Sequence, residues 1–304
     1  MIRTVLFLLA TLIAIPLASF YYDQALGAEQ WHTLQNLLYL MLTIALGCFV
    51  LSELSGNYSQ TDKLWSIVPI VYVWYVAAQS GFSDRLVLMA IMVSIWGARL
   101  TFNFARRGGY SWVPWRGEED YRWAILRQNP AFKNRWAWVL FNFFFISLYQ
   151  HGLILLFTLP GIAAWQGQRP LNWLDYLAAT LMLGFVVVET IADQQQWNFQ
   201  REKHRRIAAG EALGELYGKG FCSTGLWGMV RHPNYASEQA IWLGFYLFSV
   251  AATGRWLNWS LGGAVLLMLL FLGSSDFSEK ISAGKYAAYK DYQQKTGRFL
   301  PKIF

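Results

Sequence analysis

The sequence predicts an all-α integral membrane protein of about eight transmembrane helices. Three observations carry this. Of 304 residues, 55% are hydrophobic and 14% charged, whereas a water-facing surface needs roughly a quarter of charged residues. Apolar runs recur along the chain at the length of about 20 residues that a spanning helix requires. The basic residues also gather in alternate connections, the asymmetry that orients a chain in a membrane.

In order, the expected spans lie near 4–22, 36–55, 65–82, 86–105, 138–163, 174–196, 236–253 and 257–275. They leave no room for a separate soluble domain, so residues 31–304 read as one membrane domain and 1–30 as an extra N-terminal span or signal-like segment. With residue 1 inside, the loops 56–64, 106–137, 197–235 and 276–304 together with Arg3 hold 21 of the 25 Lys and Arg residues. Arg85, Arg169 and Arg255 fall outside, and Arg99 falls within a span. The net charge of +7 therefore orients the chain, with its C-terminus cytoplasmic, and does not point to nucleic acid. Cys48 and Cys222 have no CxxC or Cys/His spacing, so neither a disulfide framework nor a metal site is predicted.

The inner segments are the long ones. Residues 106–137 read as a structured polar, aromatic, Gly-rich loop. Arg201–Arg206 reads as a basic helical extension, broken at Gly218 and Gly220. In the tail, Lys285, Tyr286, Tyr289, Lys290 and Tyr292 read as an amphipathic helix at headgroup level.

Ionisable residues within spans cost roughly 2.5–3.5 kcal/mol each on insertion scales, and so tend to face a cavity or a partner. Here they repeat at helical spacing: Arg99, Asn103 and Arg106; Glu189, Asp193 and Gln196; Asn234 and Glu238; Asp276 and Glu279. Asp62 precedes the third span. All lie at the predicted cytoplasmic ends, which points to a polar cavity opening to the cytoplasm. His151, mid-span, reads as a hydrogen-bonded interior residue.

The most specific segment is Arg231-His232-Pro233-Asn234-Tyr235 followed by Glu238. With Asp62 and Trp65, Trp96-Gly-Ala-Arg99, Arg106-Arg107-Gly, Glu118–Arg122, Glu189, Asp193 and Gln196, and Glu279-Lys-Ile-Ser, it resembles the steroid 5-alpha-reductase-like membrane proteins. The similarity is to their bacterial members of unassigned substrate (the DUF1295 type), and it covers about residues 36–304. It implies a seven-helix reductase-like core with one added N-terminal span, in a bacterial inner membrane. It further implies NADPH-dependent reduction of a C=C bond conjugated to a carbonyl in a lipophilic substrate. By position, Asp62, Trp96 and Arg99 become the catalytic candidates. Glu189, Asp193, Arg231, His232, Asn234, Tyr235 and Glu238 become cofactor-binding candidates. Charge adds Arg106, Arg107, Arg201, Arg205 and Arg206 near the phosphates. Beyond substrate and cofactor, membrane lipids are the expected partners.

Isoprenylcysteine carboxyl methyltransferases carry a similar Arg-His-Pro segment, so a methyltransferase using S-adenosylmethionine is the alternative; a transporter or scaffold is a third reading. There is also a departure from the steroid enzymes. Their carbonyl-binding tyrosine aligns with Trp96, which offers only an indole N–H. Either Tyr72, Tyr75 or Tyr110 takes that role, or the substrate is not an enone steroid.

Overall fold

Apolar runs this long must satisfy their backbone groups internally, and helices do so within one segment. The computed structural model describes residues 2–113, 115–167 and 169–302, with residues 2–5 as backbone only, so the Arg3 side chain lies outside what is described. Among the described residues there is no strand, only one isolated parallel bridge between Val230 and Gly297. The chain divides into two units: residues to Thr180 with Leu243–Leu267, and Leu181–Trp242 with Met268 to the C-terminus.

In the first unit, α1 (Ile2–Tyr21) carries Pro16 in its interior, where a missing N–H bends a helix. α2 (Ala28–Ser55) ends on Gly56 at φ +69°, whose N–H donates to the Ser52 carbonyl. Only glycine takes that left-handed cap without strain. α3 (Gln60–Leu64) and α4 (Val68–Gln79) follow, then α5 (Asp84–Ala105). α6 (Tyr121–Arg127) and a 3-10 turn (Pro130–Phe132) lead to α7 (Arg135–Phe141), a π-helical stretch (Asn142–Tyr149), α8 (Gln150–Thr158) and α9 (Pro160–Gln166). The Arg85 guanidinium, expected in an outer loop, is instead buried against Asp175 in a bidentate pair at 2.7 and 2.9 Å, and also donates to the Arg169 and Pro170 carbonyls. An apolar cavity of about 510 Å³ lies between α1, α2, α8 and the segment 259–263, lined by Leu17, Phe20, Trp31, Leu155 and Gly263 among others.

α10 (Trp173–Ala208) begins in the first unit and runs through the second, where its last turns form the expected basic extension. α11 (Gly214–Gly218) and α12 (Leu226–Met229) are short. α13 (Pro233–Thr253) starts on proline, which suits a first helical turn. α14 (Leu261–Lys285) and α15 (Tyr289–Lys295) complete the chain.

Among the described residues, five helical segments are long and apolar enough to cross a membrane: Ala28–Ser55, Asp84–Ala105, Arg135–Gln166, Trp173–Ala208 and Leu261–Lys285. Leu6–Tyr21 and Val68–Gln79 are shorter apolar helices. The third expected span, 65–82, thus shrinks to twelve residues, about 18 Å. The chain turns between α3 and α4, and the helix restarts with Pro69 in its first turn. The outward residues of α2, including Leu38, Tyr39, Leu42, Leu46 and Val50, are exposed and form a surface suited to lipid.

In the tail, Tyr286, Tyr289 and Tyr292 enclose Phe221, with ring centroids at 5.8, 4.9 and 5.1 Å, while Lys285 and Lys290 are exposed.

Candidate active site

In the first unit the site is built on α3. Five residues cannot hold a helix alone, and Tyr110 with residues 115–119 clasps it. Asn57 donates to the Gly117 carbonyl at 2.9 Å, and Gln60 to the Trp115 carbonyl at 3.1 Å. The Tyr58 N–H donates to Glu119 Oε1 at 2.8 Å, and Tyr110 donates to the Lys63 carbonyl at 2.7 Å. Gly117 sits at φ +115°, where an added Cβ would lie 2.4 Å from the Gly109 carbonyl oxygen. The structured loop read from the sequence is therefore a clamp around Asp62.

Asp62 keeps a little open surface, yet protein surrounds its carboxyl. Burial first, and then the negative charge of Asp120, raise its pKa above the ordinary carboxylate value; Arg122 and hydrogen bonds from Ser59 and Trp123 oppose this. The Trp123 indole N–H donates to Asp62 Oδ2 at 2.9 Å. Asp120 goes the other way. Burial alone would raise its pKa, but the charge and hydrogen bonds of Arg122, at 2.8 and 2.9 Å, hold it below the usual range. One carboxyl is kept charged, and its neighbour is biased toward the neutral acid, a division that suits proton chemistry. Trp96 is fully buried on α5 and Arg99 partly so. Arg106 Nε donates to Asn103 Oδ1 at 2.9 Å, and the charge of Arg107 helps hold Asp120 ionised.

The second unit gathers most of the remaining candidates. Glu189 and Asp193 are buried on α10, one turn apart. The 222–229 segment is pinned to that helix, with the Trp227 indole donating to the Ala192 carbonyl at 2.9 Å and the Leu226 N–H to Gln195 Oε1 at 3.0 Å. On α13, Glu238 is buried and accepts from the Trp242 indole at 3.0 Å. The buried oxygens of Asn234 Oδ1 and Gln196 Oε1 meet no protein donor.

Arg231 and His232, expected among the cofactor-binding residues, are engaged within the protein. Arg231 Nε and Nη2 hold the Glu279 carboxylate at 2.7 and 3.2 Å, and Nη1 donates to the Gln293 carbonyl at 3.1 Å and to that of Thr296. His232 Nε2 meets Glu279 Oε1 at 2.9 Å, and the His232 ring stacks on Tyr235. The backbone N–H groups of Arg231 and His232 donate to the Gly297 and Arg298 carbonyls at 2.8 and 3.1 Å. This is a brace that binds the signature segment to the C-terminal tail. Among the other basic candidates, Arg205 pairs with Glu202 and Glu211, and Arg206 with Glu202, at 2.8–2.9 Å; Arg201 is exposed. Sequence reasoning placed Glu279 on a stripe without assigning it a role, and missed Gln293, which donates to Glu279 Oε2 at 2.7 Å. Partners so far apart in sequence leave no local periodicity to find. Among the described residues, no three His, Cys, Asp or Glu side chains gather as a metal site.

Long apolar helices with buried carboxylates define a polytopic membrane protein carrying polar sites inside its helical units. The chain belongs to the family described as "Protein of unknown function (DUF1295)", whose profile matches residues 48–296. This agrees with the resemblance read from the Arg231–Glu238 segment. An uncharacterized protein of Schizosaccharomyces pombe, C594.04c, is 37% identical over 278 residues, covering 87% of this chain and 79% of the relative. No solved structure matches.

Proposed function

We propose that the protein is a membrane-embedded reductase that uses NADPH to reduce a C=C bond conjugated to a carbonyl in a lipophilic substrate. The observation that carries the reading is Asp62. A carboxyl biased toward its neutral form by burial, fixed by Trp123 and set beside an ionised Asp120, is arranged to donate to a carbonyl oxygen as negative charge develops there. When bound, the nicotinamide supplies a hydride. The fit of the second unit to such a cofactor rests on its acceptors. Asn234 Oδ1 and Gln196 Oε1 lack donors, and a carboxamide NH₂ or ribose hydroxyls would provide them. The carboxyl groups of Asp193, Glu189 and Glu238 are buried in the same unit and are acceptors for ribose hydroxyls. Arg231 and His232 act by holding the start of α13 in place. Arg106, Arg107 and Arg201 remain the candidates for phosphate contact.

A second reading, a methyltransferase using S-adenosylmethionine, is favoured by one observation. Arg205, Arg206 and Arg231 are held in internal ion pairs, so the surplus of arginines argues less strongly for a phosphate-rich ligand, and buried carboxylates also suit a sulfonium cation. The two readings separate in a thermal-shift experiment on detergent-purified protein. The reductase reading expects stabilisation by NADPH and none by S-adenosylmethionine; the reverse order overturns it.

A further inference from the structure

We propose that the apolar cavity between α1, α2 and α8 holds one acyl chain of an anionic phospholipid, whose phosphate headgroup lies against Arg169 and Arg255. The site is separate from the one around Asp62. Trp31 and Leu34 line the cavity near the start of α2, whereas α3 follows the far end of that helix, about 35 Å further along.

The cavity, of about 510 Å³, has the volume of a small-molecule site, and its walls are leucine and aromatic side chains with almost no polar atoms. Water finds too few partners in such a space, and a dry void weakens the packing around it. An acyl chain is the apolar molecule that a membrane supplies. Leu17, Tyr21, Trp31 and Leu38, which edge the cavity, are exposed, so it opens sideways toward lipid. The pocket depends on α1. The family profile begins at residue 48, so α1 and the first part of α2 lie outside the matched region, and they close over Leu155–Leu159 and the segment 259–263. Gly262 permits the close approach, since an added Cβ would lie 3.2 Å from Ile15 Cγ2.

The charge of the headgroup follows from the arginines at the same end. Arginine on the expected outer side runs against the usual bias of membrane proteins. Of the three found there, Arg85 is held by Asp175. The other two meet at Gly254, which sits at φ +74°, and an added Cβ there would lie 2.2 Å from Arg169 Cζ. The Arg169 guanidinium therefore lies across the residue that precedes Arg255. Arg255 pairs with Asp23. Arg169 is exposed and has no ion-pair partner among the described residues. Trp259 ties this group to the cavity, which it lines: its N–H donates to Asp23 Oδ2 at 2.6 Å and its indole to Gln166 Oε1 at 2.9 Å. Asp23 neutralises Arg255 and leaves the charge of Arg169 at the mouth, where it complements a phosphodiester. Tyr21, Tyr22, Trp31 and Trp256 are exposed at this end, as side chains at headgroup level are.

The test uses full-length protein reconstituted in phosphatidylcholine vesicles doped with one of two probes. These are phosphatidylglycerol and phosphatidylcholine, each carrying a photoreactive diazirine on one acyl chain. After illumination, peptide mass spectrometry should find the phosphatidylglycerol label on segments 15–38 and 155–163, about five-fold above the phosphatidylcholine label. Arg169→Gln should bring that preference to within about two-fold while the cavity is still labelled. Leu34→Trp, which fills the cavity, should remove the label from 155–163. Equal labelling by the two lipids in wild type overturns the proposal, as does a preference that survives Arg169→Gln. Label confined to Leu42, Leu46 and Val50 on the outward stripe of α2 overturns it too. Should Leu34→Trp fail to fold, the comparison of wild type with Arg169→Gln, an exposed position, decides alone.

Discussion

Arg231 and Glu279 form a two-point ion pair, Nε to Oε1 at 2.7 Å and Nη2 to Oε2 at 3.2 Å, with both side chains at most one-tenth exposed. The pair joins the segment that begins α13 to the end of α14, and the carbonyls of Gln293 and Thr296 complete it from the tail. Removing one partner of a buried pair leaves an uncompensated charge. Arg231→Ala and Glu279→Ala are therefore each expected to lower stability by about 3–5 kcal/mol. Truncation after Lys295 should reproduce part of the loss, because it removes Thr296, Gly297 and Arg298. Denaturant unfolding of the detergent-solubilised protein checks all three; a truncation without effect would free the tail from this role.

Asp62 sets a pH dependence whose sign follows from its raised pKa. The folded state holds the proton more tightly than the unfolded state. The stability it contributes is thus fully present below the ordinary carboxylate pKa and is lost as pH rises through the raised value. Turnover that needs the neutral acid should fall over the same rise. In Asp62→Asn the melting temperature should lose this component of its pH dependence, and turnover should vanish while NADPH still stabilises the protein. Parallel pH profiles of wild type and variant would refute the assignment.

Trp123 tunes that acid. Its indole N–H donates to Asp62 Oδ2 at 2.9 Å and favours the charged form. Trp123→Phe removes the donor, so the high-pH limb of the activity profile should move further upward. A downward move would mean that the indole supports the neutral acid instead.

The Arg85–Asp175 pair supplies a control remote from chemistry in the sequence pattern. Asp175 is fully buried, and it also accepts from the Asn172 N–H at 2.9 Å. Asp175→Asn is expected to lower the unfolding free energy by about 3 kcal/mol while leaving KM for NADPH unchanged at permissive temperature. A rise in KM at equal stability would implicate this end of the fold in binding.

Orientation follows from the distribution of Lys and Arg. A reporter fused to the C-terminus should read as cytoplasmic. An outer C-terminus would reverse the side to which the basic loops, and with them the cofactor candidates, belong.

Much of this was legible because it is local. Composition and run length identify α2, α5, α10 and α14, and proline at 233 marks the start of α13. The third span was over-read because hydropathy does not register the turn between Leu64 and Val68 that shortens α4. That the tail tyrosines pack on Phe221 was not legible, because Lys and Tyr at helical spacing do not show which ring lies on the inner face. The partner of Arg231 was not legible, because a carboxylate 48 positions away leaves no local spacing to show that the guanidinium is claimed. The helical stripes, by contrast, did identify Glu189, Asp193 and Glu238 as inward, since burial on one helix face is written at spacings of three and four.

The central claim, that this fold binds a reduced nicotinamide dinucleotide, is tested most directly by energy transfer from the protein's 16 tryptophans to NADPH during titration of the detergent-purified chain. The account predicts a saturable transfer signal that NADP⁺ displaces and S-adenosylmethionine does not. No saturable transfer, or displacement by S-adenosylmethionine alone, would contradict it.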